Sequence, residues 1–122
     1  MQSALPRCPI CSLAAADTWI ASEHAIAFAP PDSVDDGHIV IAPRKHVGTI
    51  YELTAEEQAA LWRLSRETRD RLLTGMMPRG FYIGFVEGEA VEHDHIHIVP
   101  RRDGDVPEPR PGIRWIAAEN AP

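Results

Sequence analysis

Residues 93–101 read His93-Asp94-His95-Ile96-His97-Ile98-Val99-Pro100-Arg101. Three of the chain's six histidines fall at every second position here, with isoleucine at 96 and 98. Side chains of a β-strand alternate faces, so the spacing predicts a strand with His93, His95 and His97 on one face and the isoleucines on the other. Neighbouring histidines would then stand about 6.6 Å apart along the strand. Pro100, which has no backbone N–H, predicts the strand's end. A row of imidazoles is compatible with a solvated face or with histidines hydrogen-bonded under a loop. It is also the pattern of a reactive site.

The chain has 122 residues, enough for one domain with a real core and too few for two, so a single domain over 1–122 is expected. Hydrophobic residues at 44% and charged residues at 25% fit a soluble globular chain. A net charge of −6 argues against a nucleic-acid polymer or an anionic membrane as the main partner, while leaving room for a small phosphate ligand held by a local donor cluster. No apolar run approaches membrane-spanning length and no signal-peptide pattern opens the chain, so a cytoplasmic location is expected. The two cysteines form Cys8-Pro9-Ile10-Cys11. In a reducing compartment such a pair reads as a metal half-site or a redox pair; with no strand before it, metal is the better reading.

Thr18–Ser22 and His24–Phe28 predict two strands of a hairpin, followed by an acidic, proline-rich loop over 29–37. His38–Ala42 is nearly all apolar and predicts a central strand. Thr54 with Glu57 three residues on is a capping-box signal. It predicts a helix to about Leu73 or Thr74, stopped by Gly75, with Leu61, Leu64, Thr68 and Leu72 inward and Glu56, Glu57, Arg63, Arg66 and Arg69 mostly outward. Trp62 suits either the core or a subunit interface. Phe81–Val86 predicts the next strand. Arg102–Pro111 is expected to cross in extended form, and Ile113–Ile116 to make a last strand or an arm on a partner.

Together these segments resemble the histidine triad (HIT) family of nucleotide-binding proteins. The resemblance rests on the His-x-His-x-His run followed by Pro100-Arg101, on Gly37-His38-Ile39-Val40-Ile41-Ala42-Pro43-Arg44-Lys45-His46, on Leu53-Thr54, on Ile83-Gly84-Phe85 and on Gly112–Trp115. It implies an α+β fold, a mainly antiparallel sheet of about five strands with one long helix on one face. It also implies a two-fold homodimer, a nucleoside phosphate bound against the histidine strand, and transfer or hydrolysis at the α-phosphorus.

The resemblance makes His95 the nucleophile, His97 a phosphate or orienting ligand, and His38 a supporting histidine. It places Phe28, Asp32, Gly88 and Arg101 against the nucleotide. It further implies a structural zinc held by Cys8, Cys11, His46 and His93, a set with no open coordination position. Two thiolates and two imidazoles would pin the N-terminal segment to the sheet.

The chain departs from the family pattern around the phosphate. The stretch from Gly88 to His93 is about four residues short and lacks the usual Gln, Ser or Thr, judged against the family pattern rather than from spacing physics. Val86 stands in place of a frequent asparagine, Pro30 in place of a ribose-binding Asp or Asn, and Asp94 in place of an apolar residue. Two hypotheses follow: a nucleotidyl hydrolase or transferase with a thinned phosphate site, or a zinc-stabilised dimeric binding module with little turnover. A third would have the three histidines hold a catalytic metal together.

Overall fold

One antiparallel sheet runs through the molecule in the order β1-β2-β3-β5-β4. Its strands are β1 (Ile20–Ala21), β2 (Ala25–Phe28), β3 (Ile39–Pro43), β4 (Gly80–Gly84) and β5 (Ile96–Arg101). The computed structural model describes residues 8–30, 37–88 and 92–101. The one long helix among them, α1 (Ala55–Met76), is inserted between β3 and β4. This is the expected α+β architecture. Asp32, Arg102–Pro111 and Ile113–Ile116 lie outside the described residues.

Alternation along the strands divides the sheet into two unequal faces. Ala25, Ala27, Ile39, Ile41, Ile96 and Ile98 point toward α1 and pack with Leu61, Leu64 and Leu72 in the main core. Each isoleucine or leucine so withdrawn from water contributes about 1.5–3 kcal/mol before ordering costs. On the other face Ile26, Phe28, Val40 and Ala42 form a smaller cluster, partly covered by Ile10 and Leu13 of the N-terminal segment. Register places Phe28, Val40, His97 and Gly84 in one row across that second face.

α1 begins as the sequence predicts: the Thr54 hydroxyl accepts from the Glu57 N–H, and the Glu57 carboxylate accepts from the Thr54 N–H. The end differs. Gly75 lies inside the helix, which continues to Met76, and Met77 takes the left-handed position at φ 51°. The strands are also shorter than predicted at several ends. β1 pairs over two residues only, and β4 stops at Gly84, leaving Phe85 and Val86 outside it.

Pro100 does not end its strand; it lies inside β5, opposite Phe81. The N–H and C=O of a strand residue point to the same side, and successive residues alternate. Arg101 faces β4, since its carbonyl accepts the Arg79 N–H at 2.9 Å. Position 100 therefore faces the β3 side, where pairing covers only 96–98. The missing donor falls where no ladder partner is needed. Pro43 at the end of β3 is accommodated in the same way, because Arg44 donates to His24 and so turns Pro43 away from β2.

Candidate active site and metal centre

The regular part of β5 starts at Ile96, three residues later than the histidine spacing predicts. The three histidines consequently do not share one face. His93 turns aside into the N-terminal segment, while His95 and His97 stay together with ring centroids 4.8 Å apart.

His93 is buried and meets both cysteines: its Nδ1 lies 3.4 Å from Cys8 Sγ and 3.5 Å from Cys11 Sγ. His46, on the loop leaving β3, brings its Nδ1 to 3.2 Å from Cys11 Sγ. The four ligand atoms of Cys8, Cys11, His46 and His93 all lie within 4.8 Å of one another. Ligand atoms around a tetrahedral zinc stand about 3.3–3.8 Å apart, given bonds of about 2.0–2.3 Å. The three nitrogen–sulfur separations of 3.2–3.5 Å lie near that spacing, and the other pairs are no more than 4.8 Å apart.

Two further contacts prepare the cluster for a cation. The His93 Nε2–H donates to the Pro43 carbonyl at 2.8 Å, which fixes the tautomer and leaves the Nδ1 lone pair facing the thiols. The Cys11 N–H donates to Cys8 Sγ at 3.4 Å and holds that sulfur beside the second cysteine. Burial pushes His93 below its ordinary value, and His46 and His95 nearby push the same way, against the Pro43 hydrogen bond. The neutral imidazole that a metal requires is the favoured form.

The second histidine group lies on the sheet face away from α1. His95 Nδ1–H donates to the His93 carbonyl at 2.8 Å, which leaves the lone pair on Nε2. His38 Nε2 and His97 Nδ1 share one proton across 2.9 Å. When His38 carries it, His97 keeps its own proton on Nε2 and is a donor there. His38 is buried and precedes β3, directly beside β5 in the sheet. Among the described residues the metal-ready group is the Cys–His set, and the three histidines of the motif do not converge on a common point.

Alternation puts Asp94 on the isoleucine side, at a strand end or against Arg101 or Arg102. It stands two residues before β5 and reaches Ile50, which packs in the same core as Ile96 and Ile98. The residue is 1% exposed and its partners are backbone groups: Oδ2 accepts the Ile50 N–H and Oδ1 the His95 N–H, each at 2.9 Å. Burial pushes its carboxyl up, against the pull of those two N–H groups and of His95.

The residues expected at the nucleotide are dispersed. Phe28 is buried in the row that contains His97. Gly88 is exposed, and a Cβ there would meet open space. Arg101 lies four residues beyond His97 on β5 with its guanidinium 5.2 Å from the Tyr82 ring centre. Val86 is 37% exposed just past β4.

A family model described as HIT domain matches residues 14–104. An uncharacterized HIT-like protein of Mycoplasma genitalium is 34% identical over 84 residues, covering 66% of this chain and 60% of that protein. A bis(5'-adenosyl)-triphosphatase of Dictyostelium discoideum is 29% identical over 93 residues, covering 73% and 62%. The match therefore spans about three fifths of these relatives' length. The crystal structure of a zinc-bound histidine triad family protein from Mycobacterium smegmatis superposes with a TM-score of 0.63 at 21% identity, over 81% of this chain and 76% of that one. Among the described residues no helix is long and apolar enough to cross a membrane.

Proposed function

The chain belongs to the HIT domain family, and on that premise we propose that it is a nucleotidyl hydrolase or transferase with His95 as nucleophile. Its substrate would be a dinucleoside polyphosphate or a nucleoside phosphoramidate. The observation that carries the reading is the His95 Nδ1–H bond to the His93 carbonyl, which leaves Nε2 as the attacking nitrogen. That nitrogen forms a bond to the α-phosphorus as the bond to the leaving group breaks. Water then attacks the phosphorus of the nucleotidyl-histidine, and nucleoside monophosphate departs as Nε2 recovers its lone pair. His97, with its Nδ1 engaged by His38, donates from Nε2 to a phosphate oxygen or to the leaving atom. Phe28, Asp32, Gly88 and Arg101 complete the substrate contacts in this reading.

Zinc fits Cys8, Cys11, His46 and His93, and with four protein ligands it would be structural. The zinc-bound Mycobacterium smegmatis relative supports that choice of ion. When bound, the ion ties the N-terminal segment to the loop after β3 and to the residue before Asp94. A two-fold homodimer is part of the same proposal. Trp62 on α1 and Ile83 on β4 are 45% and 43% exposed, and the outer edge of β4 pairs with no strand among the described residues.

The deciding experiment incubates the purified protein with an adenosine phosphoramidate and with diadenosine tetraphosphate, beside His95→Ala. Nucleoside monophosphate release that vanishes in the variant is the expected result. Release that survives in His95→Ala would overturn the nucleophile. One observation favours a binding module instead: the short segment between Gly88 and His93 has no Gln, Ser or Thr. Loss of one transition-state donor costs about 3–4 kcal/mol, or a hundredfold and more in rate. Nucleotide binding without release would support that second reading.

A further inference from the structure

The geometry points to Asp94 as a positioning residue that fixes the tautomer and direction of the His95 ring by holding the two peptide units before it. This rests on the reading of His95 as nucleophile. A strand would need no such residue, because its ladder would hold these peptides. Here the ladder begins only at Ile96, so residues 93–95 must be held by other means.

Three polar groups of Asp94 take part. Its N–H donates to the Val47 carbonyl at 2.8 Å. That bond orients the peptide whose other end, the His93 carbonyl, accepts His95 Nδ1–H. Its Oδ1 accepts the N–H of the next peptide, that of His95, at 2.9 Å. Its Oδ2 reaches the Ile50 N–H at 2.9 Å and so anchors both peptides to the short 3₁₀ turn Ile50–Glu52. Both oxygens serve as acceptors, and the side chain is 1% exposed. An amide of the same shape cannot substitute, because its NH₂ would face one of the two N–H donors. Only a carboxylate satisfies the pair.

The arrangement also joins two parts of the site. Val47 follows the metal-ready His46, and His93 precedes Asp94. The loop after β3 is thus clamped to residues 93–95 at one end by the Cys–His cluster and at the other by Asp94.

The bland alternative is that Asp94 merely caps the 3₁₀ turn. Histidine tautomers separate the two, read by long-range ¹⁵N NMR on ¹⁵N-histidine-labelled protein, with His95 assigned by difference against His95→Gln. In the native chain His95 is the Nδ1–H tautomer. In Asp94→Asn, folded by circular dichroism and unchanged in metal content, we expect a mixture of tautomers. Turnover should fall by about ten- to a hundredfold in kcat with KM within about twofold, since misplacement of a nucleophile by an ångström has effects of that order. Thr49→Ala, which removes the hydroxyl that accepts the Tyr51 N–H in the same turn, should lower Tm and leave the tautomer and kcat unchanged. An unaltered Nδ1–H signal in Asp94→Asn would overturn the inference. If Asp94→Asn fails to fold, Asp94→Ser, which keeps one acceptor, is read by the same criterion. Absence of turnover in the native chain would count against the proposed activity alone, because the tautomer measurement does not need it.

Discussion

Gly37 sits at φ +84° on the turn into β3, and a Cβ there would meet Met76 Sδ at 2.6 Å and Pro100 Cγ at 3.0 Å. Gly37→Ala is expected to cost about 1–2 kcal/mol for the left-handed backbone alone, with crowding added. Urea denaturation measures it, and a change within about 0.5 kcal/mol would contradict the account. Single residues also mark the limit of what the sequence discloses. The types and spacing of His93, His95 and His97 pointed to the family that the HIT domain match shows, yet period-two alternation put all three rings on one face. The direction of His93 is set by the Pro43 carbonyl and by Cys8, 50 and 85 residues away in sequence, and no local pattern carries that information. The backbone partners of Asp94, Val47 and Ile50, are likewise distant in sequence, so alternation gives its side and not what holds it.

At the scale of elements, the start of α1 was legible because a capping box is local chemistry: two side chains and two N–H groups within four residues. Its end was not, because Met77 occupies a left-handed position that Gly75 would have filled more easily. The position of β3 at the centre of the sheet followed from its apolar run, and the start of β5 was missed by three residues because Asp94 side-chain bonds stand where ladder bonds were expected. The cap also has a pH signature. The Thr54 N–H, and next to it Lys45, hold the Glu57 carboxyl below its ordinary 4.5. A carboxyl depressed in the folded chain contributes stability that is present above its unfolded value and lost as pH falls through the folded one. The Tm gap between the native chain and Glu57→Gln should therefore be widest near neutrality and close as pH drops below 4.5. A gap constant from pH 7 to pH 3 would show that the Glu57 charge has no part in the cap.

For the molecule as a whole, the Cys–His cluster brings together three segments far apart in the chain, residues 8–11, His46 and His93. A chelator should lower Tm by removing the stabilisation that bound metal supplies, about 4 kcal/mol where free metal stood at a thousandfold excess over Kd. Metal analysis together with calorimetry checks this; a Tm that chelator does not move would remove zinc from the account. The pH dependence has a definite sign. Burial keeps His93 neutral in the folded chain at pH values where the unfolded chain is protonated, so stability is present above 6.5 and falls as pH drops through the lowered value. The effect of chelator should shrink over the same range, because protons and metal compete for the same lone pair.

The separation of the cluster's members along the chain bears on how the molecule comes together and apart in time. Cys8 and His93 are 85 positions apart, and closing so long a loop is entropically slow until the sheet has drawn its ends close. Contacts that form after the rate-limiting barrier leave the refolding rate almost untouched and act on the reverse step. A metal ion bound at this cluster would then act as a kinetic lock: stripping it should shorten the native lifetime while the chain refolds at nearly its former speed.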